Sequence, residues 1–313
     1  MNTTGQGRAL ISITCATLLW GTTYPVIKFG LAELNIPPIS YLTLRFSAAL
    51  FALLPLLFIG RVRKEFIWSL PRIPILILGT LNGIAYTLQF SGQMFTSSGV
   101  ATIMVNTYVL FTLLFGRMVL GKRITILKKL AVLLGFIGVV VIALGDLIHL
   151  EEGSTSPLGV VLTLGTGFCA GLYVTYSEKV YELSYNGSPL SPVSIFFSST
   201  VYTLLVIVLS GFILHDLPRF SSLHLIDSIP ILYLGILCTS SAFILYLIAV
   251  RDVGAVNTAV FMLLQIIVSI GFSFVLLKEI PDRYMAIGAP LIFIAIYLTR
   301  EVREKKGFES SSP

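Results

Sequence analysis

The chain carries very little charge. Asp, Glu, Lys and Arg make up 12% of its 313 residues, about half the share of an ordinary soluble domain. With 56% hydrophobic residues and a mean hydropathy of +0.93, that scarcity excludes a conventional soluble globular protein. Histidine is just as sparse. The three that exist, His149, His215 and His224, fall in expected loops, so none can serve as a buried proton relay. Cys15, Cys169 and Cys238 are the whole cysteine complement. They share no Cys-x-x-Cys or metal-ligand spacing, which excludes a disulfide framework and a thiolate metal site. We expect no metal and no cofactor. No Asp or Glu lies at the centre of an apolar run, and Asp146 and Glu178 sit near run ends. Membrane proton relays are commonly built from such central groups; here only an end group such as Glu178 is left for that purpose.

Long apolar runs are what the chain has in place of charge. Runs of roughly 20 residues, enough to cross the hydrocarbon core, lie near 9–29, 39–59, 73–95, 98–118, 127–148, 157–177, 192–214, 229–249, 253–276 and 283–300. Spans of an outer-membrane barrel would be about ten residues long and alternating, which excludes that class. The first run resembles a signal peptide only superficially. It is too long, and it holds Trp20, Thr22 and Thr23 without a small-residue cleavage site. The expected fold class is an all-α membrane protein with ten transmembrane helices.

The basic residues give the orientation. With the N-terminus inside, sixteen of the 21 Lys and Arg fall in cytoplasmic segments or the span ends beside them, among them Arg61, Arg63, Lys64, Lys122, Arg123, Lys128 and Lys129. The positive-inside rule then places both termini in the cytoplasm, as an even number of spans requires. Topology accounts for the net charge of +6, and no nucleic-acid partner is implied. The expected location is a cytoplasmic cell membrane. Oligomeric state is undetermined.

Pro74-Ile75-Leu76-Ile77-Leu78-Gly79 returns as Pro230-Ile231-Leu232-Tyr233-Leu234-Gly235, 156 residues later. The two strings open spans three and eight, so the second half copies the first after five spans. An odd shift inverts the copy in the bilayer, and inverted repeats are a common transporter architecture. Gly121-Lys122-Arg123-Ile124-Thr125 and Lys278-Glu279-Ile280-Pro281-Asp282 align at an offset of 157, and Trp20-Gly21-Thr22-Thr23 and Ala170-Gly171-Leu172-Tyr173 at 150. We expect a first five-helix repeat over 1–148, a second, inverted one over 157–300, and a cytoplasmic tail at 301–313.

Leu18-Leu19-Trp20-Gly21-Thr22-Thr23-Tyr24 with Lys28, Pro38 seven residues before Arg45-Phe46, and the Gly121–Thr125 turn together resemble the ten-helix EamA-type branch of the drug/metabolite transporter superfamily. The resemblance covers essentially residues 9–300. It departs at Lys122, where an acidic residue is usual, and at Val109 and Ile266, where many members carry a proline. The last two put in question whether spans four and nine break as in relatives. The resemblance implies an alternating-access transporter whose cavity is lined by spans one, three, four, six, eight and nine. It gives Arg45 a structural role, and a pairing with Glu33 or a helix-end carbonyl is open to it.

Polar residues sharing a helix face mark either a cavity or an interhelical contact. Asn82, Tyr86, Gln89 and Gln93 follow i, i+4, i+7, i+11, one face of span three. Span nine offers Asn257, Phe261, Gln265 and Ser269 at four-residue steps, again one face. Thr102 and Asn106 share a face of span four, and Thr239, Phe243 and Tyr246 a face of span eight. Ser240 and Ser241 have the simpler role of bonding their own helix carbonyls. Trp20 and Thr23 of span one and Tyr173 of span six complete the cavity candidates. Gly79/Gly83 and Gly167/Gly171 are Gly-xxx-Gly pairs, read as close helix approach.

These residues suit a small polar metabolite, an amino acid or related compound, with export as one direction. A lipid-modifying membrane enzyme needs ionisable groups clustered at one interface, and here they are scattered. A non-transporting receptor is the other alternative. The expected partners are a small-molecule substrate and the lipid bilayer.

Overall fold

The computed structural model describes residues 3–34, 37–95, 101, 104–148, 156–216, 228–277 and 283–309. Its helices are α1 (Thr3–Leu34), α2 (Pro38–Leu53), α3 (Gly60–Ser69), α4 (Ile73–Gln93), α5 (Tyr108–Met118), α6 (Ile126–Ile148), α7 (Pro157–Lys179), α8 (Pro192–Ile213), α9 (Ser228–Leu232), α10 (Ala242–Val253), α11 (Ala255–Met262), α12 (Leu264–Leu277) and α13 (Arg283–Glu309). A π-helical stretch, Tyr233–Ser241, joins α9 to α10. Thr102, His149, His224 and the Lys278–Asp282 segment lie outside the described residues, as do the side chains of Tyr24, Lys28, Glu33 and Asp146.

Helix starts follow local chemistry. Pro38, Pro74, Pro157 and Pro192 occupy first-turn positions, where a missing N–H costs nothing. Ser156 and Ser191 cap α7 and α8, their Oγ atoms accepting from Gly159 N and Ser194 N at 3.2 Å. Asn186-Gly187, both with positive φ (51° and 75°), turn the hairpin β1 (Ser184–Tyr185) and β2 (Ser188–Pro189), the pairing that suits a two-residue turn.

Among the described residues, five segments are long and apolar enough to cross a membrane: Pro38–Phe58, Ile73–Gln93, Pro157–Glu182, Pro192–Ile213 and Ser228–Val253. Met104–Met118, Ala255–Ser269 and Ala286–Leu298 are shorter apolar helices. Large apolar side chains such as Phe51, Leu133, Leu205 and Phe293 face outward, as a lipid-facing surface requires. The chain is an all-α, multi-pass membrane protein.

Helix contacts are reciprocal between the halves. α1 packs on α10 and α12, while α7 packs on α4 and α5. α2 meets the π-helical stretch and α8 meets α4; α6 and α13 pack as a pair. Two carboxylates cross over in the same way. Glu65 of α3 accepts from Ser191 N (3.0 Å) and Ser191 Oγ (2.6 Å) at the start of α8. Asp216, just past α8, accepts from Ile39 N (2.9 Å), Ser40 N (3.2 Å) and Ser40 Oγ (2.6 Å) at the start of α2. Each anion faces a helix N-terminus, where the dipole favours it.

The small-residue pairs allow the closest approaches. A Cβ on Gly83 would lie 2.7 Å from Val206 Cβ of α8, and one on Gly171 would lie 2.5 Å from Phe111 Cβ of α5. Both pairs therefore serve packing.

Spans four and nine break without proline. The helix turns at Thr107, between Met104–Asn106 and α5, and again at Leu263, between α11 and α12. Thr107 N and Leu263 N bond three residues back, to Met104 O and Val260 O, instead of four. The breaks stand 156 residues apart, matching the spacing of the repeated string.

Candidate functional site

A cavity of about 840 Å3, its mouth included, lies among α1, α2, α4, the fourth span, α7, α10, α11 and α12. Nine of the fifteen candidates from sequence line it: Trp20 and Thr23 of α1; Asn82, Tyr86 and Gln89 of α4; Tyr173 of α7; Phe243 and Tyr246 of α10; and Gln265 of α12. Ile27, Gln89 and Val105 are half-buried at one end, while Trp20, Tyr173, Phe243 and Tyr246 are buried at the other.

The buried end is an aromatic cluster. Trp20 meets Phe243 edge-on at 5.1 Å, Phe196 stacks on Phe243 at 5.2 Å, and Tyr173 stacks on Tyr246 at 6.1 Å. Trp20 Nε1 donates to Cys238 O at 2.9 Å, a carbonyl of the π-helical stretch. Tyr246 Oη pairs with Ser177 Oγ at 2.8 Å. Tyr173 Oη is buried and has no hydrogen-bond partner among the described residues. A buried hydroxyl without a partner is uncommon; this one belongs to a cavity-lining residue.

The broken fourth and ninth spans supply polar backbone. Leu263 N bonds Val260 O, so Ala259 O is left to accept from Tyr108 Oη at 3.2 Å. Tyr108 and Gln265, both on the cavity wall, follow the two breaks. The π-helical stretch acts similarly in the eighth span. Thr239, Ser240 and Ser241 donate to the carbonyls of Leu234, Gly235 and Ile236, each five residues back, at 2.8, 3.2 and 3.1 Å. Ser240 and Ser241 have the backbone-bonding role read from the sequence, with a register of five instead of four.

Arg45 is a wall residue that the sequence reading gave a structural role and did not count among the cavity candidates. It is 1% exposed and on the cavity wall, so the second span contributes to the site and the lining is not neutral. Its Nε donates to Thr239 Oγ1 at 2.8 Å, and its guanidinium stands 5.5 Å from the Tyr86 ring centre and 6.0 Å from that of Phe46. Among the described residues it forms no ion pair. The available signal was its position: a guanidinium seven residues inside an apolar helix needs a polar destination.

The other candidates fall elsewhere. Gln93 is exposed beyond the cavity, and Phe261 is half-buried away from it. Asn106 and Asn257 are buried outside the lining, and Asn257 Nδ2 donates to Val253 O at 3.1 Å. Thr239 is fully buried behind Arg45. The stripe on α4 therefore lines the cavity for three of its four residues. Asn82 does double duty, since its Nδ2 also reaches Thr203 Oγ1 of α8 at 3.4 Å. Among the described residues no group of His, Cys, Asp and Glu is placed to hold a metal.

Beyond the aromatic end a charged network joins three segments. Glu178 pairs with Lys122, and its Oε2 accepts from Ala255 N at 2.7 Å, the first residue of α11. Gly254, with φ of 83°, makes the preceding turn. Nearby, Arg8 Nε and Nη2 clamp Asp252 at 2.8 and 3.0 Å.

A model of the EamA-like transporter family matches this chain twice, over 7–144 and 157–300. An uncharacterized transporter of Archaeoglobus fulgidus is 28% identical over 284 residues, covering 90% of this chain and 93% of that one. A probable amino-acid metabolite efflux pump of Escherichia coli is 25% identical over 292 residues, covering 90% and 91%. A solved crystal structure at 16% identity superposes with a TM-score of 0.74 over 95% of this chain and 98% of its own, which is a likeness of fold. A cavity enclosed by both halves of a polytopic helical protein, and two matches to one family model, have one consistent reading: the chain belongs to the EamA-like transporter family and is a transporter, not an enzyme.

Proposed function

We propose that the chain moves a small polar organic solute, an amino acid or related compound, across a cell membrane by alternating access, with export as the working direction. Ten spans form two five-helix repeats, 1–148 and 157–300, inverted relative to one another, with the 301–313 tail and the N-terminus in the cytoplasm. The observation that carries the reading is the cavity itself, whose lining comes from both halves and is more deeply buried at its aromatic end. Reciprocal helix contacts, crossed carboxylate caps and breaks 156 residues apart support the duplication. The efflux-pump naming of the Escherichia coli relative supports the substrate class and direction.

On this reading the aromatic cluster and the Lys122–Glu178–Ala255 network close the cytoplasmic face that carries Lys122, and the Gln89 end is the exit by which an exported solute leaves. The network spans parts of both halves, so opening it lets one half rock against the other. Flux through proteoliposomes tests the reading: saturable, trans-stimulated movement of an amino-acid-like solute is expected, and binding without flux would put a receptor in its place.

A further inference from the structure

We infer that Arg45 is an anion subsite and that the preferred solute is an organic monoanion, a single carboxylate on an apolar or aromatic body. This deepens the transporter reading and rests on it.

A guanidinium has five N–H donors in a planar fork. Arg45 commits one of them, Nε, to Thr239 Oγ1. That hydroxyl is itself fixed, because it donates to Leu234 O in the π-helical stretch. The fork is therefore held at one corner, with the Tyr86 hydroxyl as its other polar neighbour, and no carboxylate pairs with it among the described residues. Tyr86 offers a ring face at 5.5 Å, which eases the burial of a cation without neutralising it. Among the described residues no Asp, Glu or His lines the cavity, and Arg45 is the charged side chain on its wall. Keeping a buried charge without a partner is costly, and a carboxylate is the group that fits a fork bidentately.

The rest of the wall describes the body of the solute. Trp20, Tyr173, Phe243 and Tyr246 present apolar faces at the buried end, suited to edge-on or offset contact with a ring or branched alkyl group. Tyr173 Oη is an open polar handle there. Gln89 and Gln265 are neutral and can take a hydroxyl, keto or amino substituent. An organic cation meets repulsion from Arg45 and finds no carboxylate among the described residues of the wall. A purely structural Arg45, tying α2 to Thr239, would give no charge preference at all, and that difference is what the experiment reads.

Purified protein in detergent is titrated by calorimetry with charge-matched probes: 3-phenylpropanoate, its neutral amide and 3-phenylpropylamine, then the corresponding set built on an indole and on an isopropyl body. The acid is expected to bind about ten- to hundredfold more tightly than its amide, and the amine least of all. Arg45→Gln should equalise acid and amide, and Arg45→Lys should keep a reduced preference. If Arg45→Gln does not fold, Thr239→Val, which frees the fork without removing its charge, should narrow the preference severalfold. Equal binding of acid and amide by the wild type, or no binding of any acid, overturns the assignment. A wild type that transports amines or amides as well as acids overturns it too, while leaving the transporter reading intact; acid-selective binding without flux does the reverse.

Discussion

Glu178→Gln should open the face that carries Lys122. The wild-type carboxylate makes two contacts, one with Lys122 and one with Ala255 N. Lys122 is 45% exposed and Glu178 21% exposed at the side chain, so solvent screens the pair and holds its contribution to roughly 0.5 kcal/mol. The bond to the first N–H of α11 gains from the negative charge by about 0.5–1 kcal/mol. Glutamine still accepts there but without the charge. Losing both charge terms removes about 1–1.5 kcal/mol from the closed form, a shift of roughly five- to tenfold in the closed-to-open ratio. The assay is thiol labelling in proteoliposomes. Val174, on the cavity wall and 2% exposed, is changed to cysteine in a background where Cys15, Cys169 and Cys238 are serine. A membrane-impermeant maleimide is then applied from the Lys122 face. The Glu178→Gln background should label about five- to tenfold faster, and Lys122→Met should give a smaller rise. Unchanged labelling from that face, with the protein folded, would refute the assignment of this network as the closure.

Other substitutions separate cavity from scaffold. Gln89→Ala should weaken solute binding severalfold with an unchanged melting temperature, because Gln89 is half-buried on the wall and its side chain makes no hydrogen bond among the described residues. Asn82→Ala should lower binding and also cost about 1 kcal/mol of stability through Thr203, read as a lower melting temperature in detergent. Gly83→Leu should destabilise by about 1–3 kcal/mol or abolish folding, since a Cβ there already meets Val206. Glu65 predicts an acid limb. Burial pushes its carboxyl up, but hydrogen bonds from Ser191, Arg61 and Ser194 outweigh it and hold the carboxyl below its usual range. A group depressed in the fold stabilises above its unfolded pKa and loses that contribution as pH falls through its folded pKa. The melting temperature of the wild type should therefore fall faster on acidification than that of Glu65→Gln.

Much of the fold was legible because a bilayer imposes one period and one length. The apolar runs, the small-residue pairs and the stripe Asn82-Tyr86-Gln89 could be read directly; Phe243 and Tyr246 came from the face they share with Thr239, and Trp20 and Tyr173 from their places in spans one and six. Three features resisted reading for physical reasons. The breaks at Thr107 and Leu263 lack the proline that usually announces them; they rest on i−3 backbone bonds that any residue can make. The π-helical stretch is marked only by three successive hydroxyls, Thr239, Ser240 and Ser241, whose i−5 bonds look from sequence like ordinary i−4 ones. Arg45 was given a structural role, with Glu33 or a helix-end carbonyl as its partner, because its destination, Thr239, is 194 residues away. Gln93 failed in the opposite way. It shares the stripe's periodicity, but the cavity ends before it.

The most direct test is counterflow. Proteoliposomes preloaded with unlabelled solute are placed in a trace of the same solute, labelled, and accumulation is followed over time. An alternating-access carrier predicts a transient overshoot that saturates with the internal concentration and falls in Gln89→Ala. Labelled solute that only equilibrates, with no overshoot and no saturation, would contradict a carrier and the cavity assigned to it.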